Sequence, residues 1–317
     1  MRQPLCITAV AVGGLLFAGQ GCSSSSSSSP DQSASDVATA LCNKIDSCAH
    51  FYVELAYGSA STCASRLQGE VKDSLNANGT GATPATLEAC AAALPGATCD
   101  QVLGAGTPAA CKPQVGTLAD GTACGDNSQC KSTYCKKPAN STCGVCGEKA
   151  QIGGPCNVAQ DCPDGSTCPV GLNSVCVNYA AAGANCNGNQ PCLPTLVCKN
   201  GTCATPDQAG QMCVPMLGGA GSCSAATGYF CNPTNSTCQT AALAAAGATC
   251  GYDIAANSFT LCSAAGSCNV PAGRTTGTCA AAAADGASCN PVGGPPCTPP
   301  AVCNNGLCTL PTPSTCH

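Results

Sequence analysis

One cysteine frame returns six times between Gly121 and Cys308 and limits what this chain can fold into. Each copy opens with a glycine three residues before a first cysteine: Gly121 and Cys124, Gly153 and Cys156, Gly183 and Cys186, Gly210 and Cys213, Gly247 and Cys250, Gly286 and Cys289. The first copy continues with Cys130, Cys135 and Cys143, the second with Cys162, Cys168 and Cys176, the third with Cys192, Cys198 and Cys203. The fourth carries Cys223, Cys231 and Cys238, the fifth Cys262, Cys268 and Cys279, the sixth Cys297, Cys303 and Cys308. First cysteines stand 27 to 39 residues apart, so the loops stretch while the frame persists, as in tandem disulfide modules.

Composition explains why such a frame is needed. With 4 Phe, 6 Tyr, no Trp and 9% charged residues among 317, the chain cannot bury one large core, whereas its 34 cysteines can hold many small ones. Disulfides in that number persist only in an oxidising compartment, which points to the cell envelope or the exterior. The net charge of −5 is mild and no Lys/Arg run is present, so no electrostatic footprint for nucleic acid exists and that partner is set aside.

Residues 1–21 have the charged start and short apolar body, Leu5 to Ala18, of a signal peptide. Gly21-Cys22 follows, then seven serines from Ser23 to Ser29. The junction resembles the lipobox of bacterial lipoproteins, with Gly19 and Gln20 where Leu and a small residue are usual, and it implies acylation of Cys22. Ordinary secretory cleavage near Gly19 to Gly21 is the alternative. Without Cys6 and Cys22 an even 32 cysteines remain, enough for 16 bridges. Residues 22–32 read as a flexible tether to a membrane.

Residues 33–115 have a helical texture and six cysteines: Cys42, Cys48, Cys63, Cys90, Cys99 and Cys111. Ser33 and Asp36 form a capping-box-like start, after which Val37, Leu41, Ile45, Cys48, Tyr52 and Leu55 share one helical face. Cys63, Leu67, Val71 and Leu75 make a second row, and Thr83-Pro84 opens a third helix through Cys90 and Leu94. The spacing predicts a small α-helical domain whose thin seam needs three internal bridges.

The units span 116–151, 152–180, 181–207, 208–243, 244–283 and 284–308, with a tail over 309–317. Asn200-Gly201 and Asn305-Gly306, between third and fourth cysteines, are hairpin signals, so the expected module is a short β-hairpin with little core. First-to-third and second-to-fourth bridges are the expected pairing, although four cysteines allow three pairings and the spacing does not choose. Each such loop contributes about 3 kcal/mol in the chain-entropy account. The recurring glycine is expected at a positive φ or a close backbone approach. Cys146 and Cys316 are supernumerary, and either pair with each other or displace neighbouring bridges.

The run from Asp120 to Cys135, with a polar stretch before the second cysteine and Tyr134 before the third, resembles the N-terminal cysteine-rich domain of Dickkopf proteins. The layout over 33–308 is similar to cysteine-rich lipoproteins of myxobacteria, in which a helical cysteine domain precedes several such units. The likeness is sharp over 116–146 and loosens where intervals widen, as between Cys213 and Cys223 or Cys250 and Cys262. Dickkopf proteins are secreted receptor antagonists, and what the resemblance implies for this chain is the module.

Candidates for chemistry are sparse. Cys143-Gly-Val-Cys146 has CxxC spacing without the βαβ setting of a redox site, and the wider pattern fits disulfides better than zinc. His50, inside the first helix, and His317 are the only histidines, and neither adjoins a nucleophile motif. Asp120, Asp126, Asp161 and Asp164 lack calcium-loop spacing and read as solvated turn carboxylates. The sequons at Asn78, Asn140, Asn200 and Asn235 read as turn composition. Tyr134 and Phe230 either pack over their own bridges or form contact surface. No catalytic residue, metal site or cofactor is expected. The sequence reads as a non-enzymatic lipoprotein of the envelope, outer-membrane-anchored or extracellular, presenting an array of modules to a protein or glycan ligand. The alternatives are a purely structural envelope component and a secreted protease inhibitor or receptor-antagonist-like ligand.

Overall fold

The computed structural model describes residues 28–138, 141–169, 174–186, 190–214, 221–290 and 294–316. The signal-peptide candidate 1–21, the lipidation candidate Cys22, Asn140 and His317 lie outside the described residues. Three helices come first: α1 (Pro30–Tyr57), α2 (Ala60–Asn76) and α3 (Pro84–Ala93). α1 starts earlier than the Ser33–Asp36 pattern predicts, because the last serine of the run caps it. Ser29 Oγ accepts the Gln32 N–H at 3.2 Å, and Pro30 takes the first turn, where its missing N–H costs nothing. Thr83 and Thr86 cap each other's backbone at the start of α3, as the Thr83-Pro84 signal predicts.

The helical core is thin. Val37, Cys90 and Leu94 form one buried cluster, and Cys42, Val53 and Cys63 another. Bridges Cys42–Cys63, Cys48–Cys99 and Cys90–Cys111 fasten α1 to α2, α1 to the 99–105 segment, and α3 to the 109–111 turn.

Every unit repeats one backbone plan. Gly121, Gly153, Gly183, Gly210, Gly247 and Gly286 all have φ between 76° and 88°, a left-handed turn that a Cβ would strain. Each donates its N–H to the carbonyl of a cysteine that ends its unit, at 2.7–2.8 Å: Cys146, Cys176, Cys203, Cys238, Cys279 and Cys308. Third and fourth cysteines face each other across antiparallel strands, as in Cys198 with Cys203 over Val197–Lys199 and Thr202–Ala204, and Cys303 with Cys308 over Val302–Asn304 and Leu307–Thr309. Both central turn residues have positive φ in Asn200-Gly201 (50° and 81°) and Asn305-Gly306 (51° and 79°), the twist a two-residue hairpin requires. The fifth unit has the widest loops and, with the strand Ala242–Ala244 at its junction with the fourth, builds a five-stranded sheet, in the order Ala242–Ala244, Ser258–Cys262, Thr249–Asp253, Thr276–Ala280, Ser267–Asn269.

Units two to six pair first with third and second with fourth cysteines: Cys156–Cys168 and Cys162–Cys176, Cys186–Cys198 and Cys192–Cys203, Cys213–Cys231 and Cys223–Cys238, Cys250–Cys268 and Cys262–Cys279, Cys289–Cys303 and Cys297–Cys308. The first unit corrects the sequence assignment. Cys124 pairs with Cys135, but Cys130 pairs with Cys146, and Cys143 reaches Cys316 in the tail. The physical reason is register: Cys146 lies opposite Cys135 across the strand pair and accepts the Gly121 N–H, so it holds the place of a fourth cysteine. The sixteen bridges engage every cysteine from Cys42 to Cys316.

The units do not extend away from the helices. In the first, Ser128 O accepts the Gly81 N–H at 2.7 Å; in the second, the Gly165 N–H reaches Ala105 O at 2.9 Å. In the third, Thr195 donates N–H and hydroxyl to Asp100 at 2.9 and 2.8 Å. The fourth seats Gly228 against the Phe51 ring, and the fifth donates Ala264 and Ala265 N–H to the last carbonyls of α1, Glu54 O and Leu55 O, at 3.0 and 2.7 Å. In the sixth, Arg66 grips Asp285 with two bonds of 2.5 and 2.7 Å and reaches Thr298 O at 2.8 Å. The tail ties Ser314 to Asp73 and closes the series covalently at Cys143.

Candidate functional site

Between the helical domain and units three to five lies a cleft of about 1140 Å³. Its floor is α1, through Ile45, Ala49, Phe51, Tyr52 and Leu55. One wall is Val102, Leu103 and Gly104; the other carries Tyr229, Phe230 and Pro233 of the fourth unit with Tyr252, Phe259 and Leu261 of the fifth. Among the described residues, no Asp, Glu, Lys, Arg or His lines it.

Local sequence explains the floor. The apolar face of α1 runs past what the helical core uses: Val37 and Leu41 pack toward α3, while Tyr52 and Leu55 line the cleft. α1 bends at Ala49, where φ is −152° and ψ is 60°, and the adjoining Cys48–Cys99 bridge secures the segment carrying Val102 and Leu103. Gly228 (φ +78°) leaves room for Phe51; a Cβ there would stand 2.3 Å from the ring. Phe230 and Phe259 pack with rings tilted by 58° and centroids 5.5 Å apart, within the range of favourable aromatic pairs.

Polar groups beside the cleft are satisfied by one another. Asn232, fully buried, donates to Gln239 Oε1 at 2.8 Å and accepts the Thr234 N–H at 2.8 Å. The Tyr252 hydroxyl donates to Asn257 Oδ1 at 2.5 Å. The cleft thus offers hydrocarbon and ring faces to an occupant.

The aromatic inventory is concentrated here. All three phenylalanines of the described residues (Phe51, Phe230, Phe259) and three of the six tyrosines (Tyr52, Tyr229, Tyr252) line this one cavity. None of the six is fully buried, and Tyr52 is 49% exposed. A chain whose interior is filled by bridges keeps its rings at a surface recess.

The residues singled out from the sequence fall elsewhere. In each of five units the sulfurs of three cysteines, such as Cys124, Cys130 and Cys135, lie within 4.8 Å of one another, close enough to share a metal were they thiolates. They are the stacked bridges of a unit, and a sulfur bonded to sulfur is no thiolate ligand. Cys143 and Cys146 have different partners, so the CxxC spacing is not a functional pair. His50 is exposed and bound to Asp46 at 2.8 Å with Glu54 at 3.5 Å; the Asp46 hydrogen bond and both charges raise its pKa above 6.5.

Asp161 departs from the solvated-turn expectation. It is buried, accepts the Asn157 and Val158 N–H groups at 2.7 and 3.1 Å, and receives the Tyr134 hydroxyl from the first unit. Burial pushes the Asp161 carboxyl up, but these bonds outweigh it and hold the group below its usual value. Burial and the neighbouring carboxylate raise Tyr134. Tyr134 and Phe230 therefore serve contacts between units, with Lys149 Nζ 5.9 Å from the Tyr134 ring centre.

Sequence reading marked Tyr52 and Phe230 but missed Phe51, Tyr229, Tyr252 and Phe259 as parts of one site. Rarity was the available signal: in a chain with 3% aromatics, each ring calls for a reason.

Sixteen disulfides belong to an oxidising compartment, the cell envelope or exterior. No helix among the described residues is long and apolar enough to cross a membrane. No protein-family model matches this chain, and neither does any curated protein or solved structure.

Proposed function

We propose that this protein is a non-enzymatic binding protein of the cell envelope, tethered by acylated Cys22 and holding a hydrophobic ligand in the cleft beneath units three to five. The observation that carries the proposal is the gathering of six rings from α1 and two disulfide units around one uncharged recess. Ligand sites are typically concave, mostly apolar and preformed, with volumes of about 300–1,000 Å³. Here the bridges supply the preformation. The modules would then be scaffold more than separate contact sites, and the serine run would place the cleft clear of the membrane.

Native mass spectrometry of the oxidised full chain, offered a panel of neutral aromatic and aliphatic compounds, tests this reading. Saturable uptake of one ligand per chain, lost when Ala226→Trp fills the cleft, is expected; no uptake from either class overturns it. Intact mass of the membrane-extracted protein checks the tether, an acyl adduct at Cys22 being the expected result. A second reading, a protease-resistant structural component, is favoured by the covalent closure at Cys143–Cys316. It predicts survival in protease without any ligand uptake.

A further inference from the structure

We infer that the occupant of the cleft is an uncharged molecule with a flat aromatic or fused-ring body, not a flexible acyl chain; this rests on the cleft being the ligand seat. Three observations lead there. First, the lining among the described residues carries no ionisable group except tyrosine, so a charged ligand part lying inside the cleft would be desolvated without a partner. Secondly, the neighbouring polar groups, Tyr252, Asn232, Asn257 and Gln239, already bond to one another, so what the recess keeps for an occupant is neutral: ring faces and the hydroxyls of Tyr52 and Tyr229. Thirdly, the rings are held in place. Phe51 is seated on Gly228, Phe230 on Phe259, and Cys231 of the same wall is bridged to Cys213.

Fixed ring faces and edges reward a partner that is itself rigid and planar. Such a ligand loses little internal freedom on entry, whereas an alkyl chain must freeze many torsions. Offset and edge-on ring contacts add a term that aliphatic walls lack.

The test titrates the oxidised full chain with neutral N-phenyl-1-naphthylamine, whose fluorescence rises in apolar surroundings, and competes it with hexadecanol or an anionic naphthalene sulfonate. Expected are saturation at one probe per chain, no displacement by hexadecanol and weaker binding of the anion. Phe230→Ala should weaken the probe about tenfold, as loss of one ring contact and its buried area implies. Ala226→Trp, from a half-exposed position, should weaken it at least as much while thermal unfolding and full oxidation stay unchanged. Displacement by hexadecanol, or tighter binding of hexadecanol than of the probe, overturns the ring-bodied class and leaves the cleft as a ligand seat. No saturable binding of any compound, or binding indifferent to both substitutions, overturns the class and the seat together.

Discussion

Cys143 of the first unit is bonded to Cys316, 173 residues downstream, and this bridge alone joins one unit to the chain's far end. Every other bridge lies inside a unit or inside the helical domain, so removing this one opens the circuit and leaves each module intact. The double substitution Cys143→Ser with Cys316→Ser should reduce stability by about 3 kcal/mol, since intervening bridges shorten the effective loop. Denaturant unfolding under non-reducing conditions measures it. A non-reducing peptide map should give one fragment joining Cys130 to Cys146; a fragment joining Cys130 to Cys143 would contradict the pairing described above.

Arg66 holds the sixth unit through Asp285 and the carbonyls of Thr298 and Pro299. Arg66→Ala should cost about 1–3 kcal/mol, because it removes a two-pronged charged bond and the side-chain donor of two carbonyls, of which Thr298 O keeps the Ala301 N–H. Arg66→Lys should restore little, since an ammonium lacks the planar fork. Limited proteolysis locates the effect: cleavage near Asp285 should rise in both variants. Cleavage unchanged in the alanine variant would show that the contact does not fasten the unit.

Three junction carboxylates sit below their usual pKa. For Asp285 the Arg66 bonds lead; for Asp161 and Asp207 burial pushes upward, but bonds from Tyr134 and from Lys199 and Ser222, respectively, outweigh it. A value lower in the folded than in the unfolded chain gives stability that is complete above the ordinary carboxylate pKa of about 3.9 and is lost as pH falls through the lowered values. The melting temperature should therefore hold from pH 7 to about 4 and then fall, and Asp161→Asn should flatten part of the fall. A profile flat to pH 2 would remove these contacts from the account.

His50 behaves oppositely. Its raised pKa means that its ion pairs stabilise fully below the unfolded value and fade as pH rises through the folded one. Proton NMR should place its titration midpoint above 6.5, and Asp46→Asn should bring it down. A midpoint at or below 6.5 in the parent would refute the pairing in solution.

Two glycines separate two kinds of cost. A Cβ on Gly183 meets nothing within 4 Å, so Gly183→Ala pays only for φ +80°, about 1 kcal/mol, and Gly183→Asn less. On Gly228 the same Cβ would stand 2.3 Å from Phe51, so Gly228→Ala should cost about 3 kcal/mol and also perturb the cleft. Thermal unfolding ranks them, and equal losses would show that Phe51 yields freely.

Much of the architecture was legible because its signals are local. The caps at Thr83-Pro84, the Asn-Gly hairpins and the recurrent glycine each act within a few residues, and each appears where the sequence places it. The mistaken fourth cysteine had a legible remedy. Cys176 to Gly183, Cys203 to Gly210 and Cys279 to Gly286 are all seven residues, as is Cys146 to Gly153, whereas Cys143 is ten residues from Gly153; Cys238 to Gly247, at nine, is the exception. The buried role of Asp161 had no such sign, because its donor Tyr134 lies 27 residues away in another unit.

By itself the sequence determined the parts: three helices, six bridged hairpin units and an oxidising setting, since cysteine spacing and turn residues restrict a short chain segment whatever surrounds it. The tertiary structure alone decided how the parts meet. Loops of variable length carry no register from one unit to the next, so only docking on α1 and α2 could bring Phe51, Phe230 and Phe259 into one recess and set Cys316 beside Cys143. The cleft is a property of that docking.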